Sequence, residues 1–332
     1  MSESPELYLT REAVRLLSDR QLRRARERGT VVRLAAGVFV PAAEWAALDL
    51  DQRYRTRVRA IALRARLRPQ ISHDSAAALW RLPSVGPWPS TVHEVIGRNV
   101  ATSSRVGVTR HARDLDPDCA EIDDTPVTSL ARTLVDMSCT TTFVRAVAMV
   151  DDGLRAPREG DPRWGWPRAT ADLDATLRVL DSLEPYGGSV RARRVLQFAT
   201  ALSGSPGESV ARVQFLALGY PAPALQFEFR DEDGFIGFAD FYWPALGLAV
   251  EFDGRSKYGS ERRYQRELSS HQVLMHEKAR EDRMRRVVES FARIDWAQVS
   301  DRRRLASRLQ AFGLKPNRRS LSGQTAPSIG IF

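Results

Sequence analysis

The spacing of apolar positions changes period several times along this chain, and each change marks an element. Leu9 to Leu17 has the spacing of a short helix. Ser18 and Asp19 offer an N-cap for a second helix, which turns Leu22 and Ala25 inward and leaves Arg20, Arg23, Arg24, Arg26 and Arg28 largely outward. Gly29 is placed as its C-cap. Val31 to Leu34 and Val38 to Val40, joined by a turn at Ala35 to Gly37, predict a small hairpin. Helical spacing follows at Arg53–Leu67 and Ser72–Trp80, strand spacing at Thr91–Ile96 and Val106–His111, then two more helices at Thr128–Met137 and Thr142–Leu154. Proline and glycine crowd the next stretch, and Pro185 to Gly188 break a helix predicted over Ala171–Leu183, so 156–188 reads as a linker or insertion. From Ser189 the pattern resumes. Ser205 caps a helix that offers Val210, Val213 and Phe215 to a core, and two apolar runs, Phe238–Trp243 and Leu248–Asp253, flank a turn at Pro244 to Gly247. A last strand at Phe291–Ile294 and a basic helix at Asp301–Leu309 close the unit, and 315–332, rich in Ser, Gly, Pro and Arg, predicts a disordered tail.

These elements make a mixed α/β chain. Helix, helix and hairpin over 1–41 is the order of a winged helix-turn-helix. Its second helix would enter a major groove with Arg20, Arg23 and Arg24, and Arg33 on the wing would reach a phosphate. The plainer alternative is a small helical cap with a solvated arginine face. Residues 42–155 form an α/β middle domain and 189–314 a second α/β domain with a central mixed sheet.

Composition narrows the partners. The 332 residues are 43% hydrophobic and 27% charged with net charge +9, a balance that excludes a disordered chain and suits a polyanion such as DNA or RNA, the plainer alternative being arginine in place of lysine in a high-GC coding background. The opening Ser2, Glu3 and Ser4 have no signal pattern, and no apolar run approaches the ~20 residues of a membrane span. Cys119 and Cys139 lack metal-ligand spacing and fit a reducing compartment, so a cytoplasmic protein is expected. His73, His93 and His111 share no ligand spacing and read as structural or surface residues.

The acids change the picture most. Asp240 follows one apolar run, and Glu251 and Asp253 are embedded in the next. Strand alternation puts Glu251 and Asp253 on one face and Val250 and Phe252 on the other, while the turn between the runs brings Asp240 beside Glu251. Carboxylates gathered this way repel one another unless a hard cation sits among them, and Mg²⁺ or Mn²⁺ is the expected cofactor. Phosphodiester chemistry is the natural use of such a centre. The i,i+4 pair Glu277 and Glu281, with Lys278, Arg280, Arg283 and Arg285 nearby, is equally compatible with an ion-paired surface helix.

Particular motifs carry a resemblance in each half. Arg33-Leu-Ala-Ala-Gly-Val-Phe-Val40, Ser72-His-Asp-Ser-Ala-Ala77 and Pro126-Val-Thr-Ser-Leu-Ala-Arg-Thr-Leu-Val-Asp136 resemble the AbiEi-type antitoxin and transcriptional-regulator family over residues 8–155. Ser205-Pro-Gly-Glu-Ser-Val-Ala-Arg212, Asp240, Glu251-Phe-Asp-Gly254, Lys257-Tyr258 and Glu277-Lys-Ala-Arg-Glu-Asp-Arg283 resemble the Vsr-like branch of the PD-(D/E)XK nucleases over 189–310. The second resemblance implies a restriction-endonuclease-like fold in which Glu208 reaches the metal from the first helix. It makes Asp240 the central ligand, Glu251 the second, and Asp253 a third ligand or water-orienting base. That superfamily usually has lysine where this chain has Asp253, so Lys257, Lys278 or Arg280 would have to supply the cation, the last two being also expected DNA contacts. The leading expectation is therefore a DNA-binding, Mg²⁺-dependent endonuclease. Its rival is a non-catalytic DNA-binding regulator or antitoxin on a degenerate nuclease fold, with a toxin protein as a further possible partner. RNA ranks below DNA because the interleaved aromatic and glycine pattern of a single-strand-binding sheet is missing.

Overall fold

The computed structural model describes residues 8–9, 19–65, 68–98, 106–156, 170–183, 186–254 and 270–317. Its chain divides into two compact units, 1–137 and 138–332. The described residues are mixed α/β, and none of their helices is long and apolar enough to cross a membrane.

The first unit opens with a three-stranded sheet in the order β1-β3-β2, made of β1 (Tyr8–Leu9), β2 (Val31–Ala35) and β3 (Val38–Pro41). Helix α1 (Asp19–Glu27) precedes the hairpin, and Gly29, at φ 68, ends it in the left-handed conformation that glycine adopts without strain. Leu9, expected to begin a helix, instead pairs with Val38 as an edge strand, and the rest of that expected helix lies outside the described residues. Helices α2 (Ala42–Ala47) and α3 (Leu50–Ala62) follow, α3 starting at a capping box in which Asp49 and Gln52 exchange side-chain and backbone bonds. A second sheet has the order β6-β5-β4-β8-β7. It comprises β4 (Gln70–Ile71), β5 (Val92–Ile96), β6 (Val108–Ala112), β7 (Ala120–Ile122) and β8 (Thr125–Val127), with α4 (His73–Leu79) leaving directly from β4. Short β4, β7 and β8 carry too few residues for a visible alternation, which is why the sequence pattern misses them.

Helix α5 (Leu130–Thr140) contains the division between the units. Helix α6 (Phe143–Leu154), expected within the middle domain, belongs to the second unit. The reason is a buried polar link: Asp151 on α6 accepts bonds from Ser209 Oγ and Arg212 Nη1 of α9 (Pro206–Ala217), both at 2.7 Å. A carboxylate that is 1% exposed is tolerable only with such partners.

Helices α7 (Leu173–Ser182) and α8 (Ser189–Phe198) lead into α9. Next comes a four-stranded sheet in the order β12-β11-β10-β9, built from β9 (Ala224–Asp231), β10 (Gly234–Trp243), β11 (Leu248–Asp253) and β12 (Ser290–Asp295). The β9–β10 and β10–β11 pairs are antiparallel and β11–β12 is parallel, because α10 (Ser270–Val287) crosses between β11 and β12. One sheet face buries Ala249 and Phe291 with Met284 of α10, and Phe241 and Trp243 on the other stack edge-on against Phe215 of α9. Short α11 (Trp296–Val299) and α12 (Arg302–Gln310) close the described chain; Asp301, expected as the first residue of the basic helix, is its N-cap. Residues 318–332, most of the expected tail, lie outside the described residues.

Candidate functional site

Two features of the chain bring Glu208 to the sheet. Ser205 caps α9, its hydroxyl accepting the Glu208 N–H at 3.3 Å and donating to Glu208 Oε1 at 2.9 Å. Gly207 lets the first turn of α9 lie against β11, since a Cβ there would stand 2.0 Å from the Phe252 ring. Glu208 is buried, and its Oε2 accepts the Gly204 N–H at 2.7 Å.

Asp240 comes from β10. The β10–β11 register pairs Phe241 with Val250, so the next position sets Asp240 opposite Glu251, as the turn predicts. Asp240 Oδ2 accepts the Phe252 N–H at 2.8 Å, and one side-chain amide joins the two acids: Gln226 Nε2 donates to Asp240 Oδ1 at 3.1 Å and to Glu208 Oε2 at 3.3 Å. Gln226 has φ 47, a left-handed conformation that a non-glycine residue holds only where surrounding structure imposes it. Burial first, and the neighbouring Asp240 second, push the Glu208 carboxyl up to about 8. Asp240 is pushed up to about 6 by burial and the Glu251 charge, against the Phe252 N–H and the Gln226 amide.

Glu251 has a different environment. It is buried, and Arg280 of α10 grips both its oxygens at 2.8 and 3.1 Å. Arg293 of β12 lies 3.7 Å from it and also pairs with Glu281 at 2.9 Å and Glu277 at 3.2 Å. The acids at 277 and 281 thus face inward onto Arg293 rather than forming a purely solvated row. Of the cations expected at the site, the structure brings Arg280, while Lys278 is exposed and Lys257 lies outside the described residues. As Arg280 is held by Glu251, it is not the free phosphate contact expected of it. Asp253 ends β11 opposite Asp295 of β12 and is half-buried.

In the first unit Arg20, Arg23 and Arg24 of α1 and Arg33 of β2 are all exposed. Arg33, Arg57 and Arg64 line a cleft of about 690 Å³ together with Trp45 and Val108. This unit also holds something the spacing does not reveal. His73, His93 and His111 converge, and one ring nitrogen from each lies within 4.8 Å of the other two. His93 Nδ1 and His111 Nε2 are 3.1 Å apart, and the His73 and His111 rings stack with centroids at 3.7 Å. Burial and the other two imidazoles lower the His73 pKa well below 6.5, and His111 falls to about 4. Gln226 was legible in principle, since Leu225, Phe227 and Phe229 alternate with Gln226, Glu228 and Arg230, the signature of a strand. The histidines had no such signal, because the pairing of β5 with β6 and the start of α4 beside β5 bring them together.

No family model matches the chain. It is similar to two uncharacterised Mycobacterium tuberculosis proteins, MT2308 of strain CDC 1551 / Oshkosh and Rv2248 of strain ATCC 25618 / H37Rv, with 37% identity over 98 residues. The match covers 26% of this chain and 36% of those relatives, so it spans about a third of their length. The crystal structure of RV2827C from Mycobacterium tuberculosis covers 68% of this chain and 84% of its own, at 16% identity and a TM-score of 0.39.

Proposed function

We propose that this is a cytoplasmic DNA-acting protein whose second unit performs Mg²⁺- or Mn²⁺-dependent phosphodiester hydrolysis. Its exposed α1 arginines and Arg33, in a winged helix-turn-helix over 1–41, would hold the DNA. The observation that carries the reading is the Glu208–Gln226–Asp240 cluster. Two carboxylates share one amide, and both are pushed toward protonation by burial and neighbouring negative charge. Such a pair needs either a proton or a cation, and its hard oxygen donors suit Mg²⁺ or Mn²⁺. The fit is good for Glu208 and Asp240. Glu251 joins them as a ligand only if Arg280 lets go of its oxygens.

A divalent ion there would neutralise phosphate charge and lower the pKa of an attacking water. The chain's own groups do the rest. Glu208 and Asp240 would hold the ion, with the Gln226 amide, bonded to both, setting their orientation. Arg280 is the cation beside these acids, but Glu251 holds its guanidinium, so it would stabilise developing charge on phosphate only on release from that pair. The test is incubation with supercoiled plasmid and Mg²⁺ or Mn²⁺, beside Asp240→Ala and Glu208→Gln. Nicking or linearisation that both variants lose by at least about 100-fold is expected. Scission that survives both substitutions would remove the assignment.

The engagement of Glu251 by Arg280 also favours a second reading: a non-catalytic DNA-binding regulator or antitoxin that keeps the nuclease fold as a platform. That reading expects salt-dependent DNA binding without scission in any divalent metal, and leaves room for a toxin protein as partner; RNA remains the weaker nucleic-acid candidate.

A further inference from the structure

We propose that His73, His93 and His111 form a site for one divalent transition-metal ion of the imidazole-preferring class, with Zn²⁺ as its representative. The site lies wholly in the first unit and is independent of the nuclease reading. Sheet geometry builds it. The Ser72 N–H bonds the His93 carbonyl at 3.0 Å as β4 meets β5, so His73 begins α4 beside His93. Parallel pairing of β5 with β6 matches His93 to Thr109 and Val95 to His111, which puts His93 and His111 on one face, offset by two residues. Ser75 Oγ accepts the His93 N–H at 2.8 Å and contacts Tyr54 Oη at 2.8 Å, so the backbone carrying His93 is held from two sides.

The His93 and His111 nitrogens are presented as ligands would be. The 3.1 Å between His93 Nδ1 and His111 Nε2 is close to the ~3.3 Å edge of a tetrahedron with Zn–N bonds of 2.0–2.1 Å. The far nitrogen of His93 faces Thr91 Oγ1 at 3.5 Å, and Nδ1 is the nitrogen that faces His111. On His73, Nδ1 contacts Ser72 Oγ at 3.0 Å and lies 3.9 Å from the buried Asp136 carboxylate, which leaves Nε2. A hydroxyl or carboxylate behind the ring is the usual support of a metal-bound imidazole. His73 itself has φ 50, a conformation held against local preference. Three imidazoles without a hard oxygen in the cluster select zinc-like ions over Mg²⁺ or Ca²⁺ and leave a fourth position for water or a ligand.

Two features oppose binding and set its affinity. The His73 ring must turn out of its stack on His111 to aim Nε2 at the centre. Arg113 and Arg132 also lie nearby, although Arg132 is paired with Asp136 at 3.1 Å. The competing account is a packed stack of neutral, hydrogen-bonded histidines that binds nothing.

Co²⁺ titration of the full chain, without a histidine tag and stripped by chelator, separates the two. One equivalent should give visible d–d bands, be displaced by one equivalent of Zn²⁺, and raise the melting temperature. His93→Gln and His111→Gln should each weaken binding by at least about 100-fold, and Asp136→Asn by about 10–100-fold. A His271→Gln, His276→Gln double variant, which removes the chain's other histidines, should bind as before. Zinc-edge X-ray absorption of the loaded wild-type chain needs no variant and should show three imidazoles and no sulfur. Absence of Co²⁺ bands, unchanged binding in His93→Gln and His111→Gln, or sulfur ligation would overturn the proposal.

Discussion

Glu208 and Asp240 are two carboxylates joined by the single amide of Gln226, and their chemistry turns on how each meets its charge. Glu208 ionises near 4.5 in the unfolded chain and at about 8 in the folded one. With no divalent ion, the unfolded state therefore loses this proton first as pH rises. The contribution of Glu208 to stability is fully present below about 4.5 and is lost as pH climbs to about 8, and Asp240, raised to about 6, acts with the same sign. Urea unfolding in chelator should accordingly show a midpoint that falls across that window. Glu208→Gln should flatten most of the fall; a wild-type midpoint that stays level would contradict the buried-acid pair. At this scale Asp240 stood out from its place after an apolar run, while Glu208 entered only through the motif that carries the resemblance. The strand that carries Gln226 was legible in principle, but the bridge its amide makes between the acids and the Arg280 grip on Glu251 were not, because each depends on a side chain reaching another element.

At the scale of elements, the site depends on how closely α9 meets β11. Gly207 allows that approach, and the Phe252 ring fills the place a side chain would take. Gly207→Ala should cost about 1–3 kcal/mol through overpacking, and it should shift Glu208 away from Asp240. Both effects are measurable, the first by chemical unfolding and the second by a loss of Mg²⁺-dependent nicking greater than the stability change explains. Equal stability and nicking would show that the helix has room to spare. The hairpin β10–β11 was readable because Pro244 to Gly247 interrupts two apolar runs, and in the structure a 3-10 turn over Pro244–Leu246 ends at Gly247 with φ 53. Helix α6 was readable as a helix but not by its allegiance, since its packing on α8 and α9 and the Asp151 bonds to Ser209 and Arg212 assign it to the second unit.

For the molecule as a whole, net charge +9 is concentrated in part on the exposed arginines of α1. Replacing Arg20, Arg23 and Arg24 together by alanine should weaken DNA binding and reduce the slope of log affinity against log salt by about 0.9 for each phosphate that is no longer neutralised. Fluorescence anisotropy over a salt series reads this directly, and an unaltered slope would move the DNA-binding surface elsewhere, with the Arg33, Arg57 and Arg64 cleft the next region to vary. By itself the sequence determined the mixed α/β class and most long elements, and singled out Asp240 and Glu251 as neighbours across a turn, because periodicity, caps and turns are properties of neighbouring residues. Tertiary structure alone decided which charges meet. It turned Arg280 and Arg293 onto Glu251, set Gln226 between two acids, and gathered three histidines from α4, β5 and β6. Those juxtapositions follow from strand pairing and helix packing between residues far apart in the chain, where local spacing carries no information.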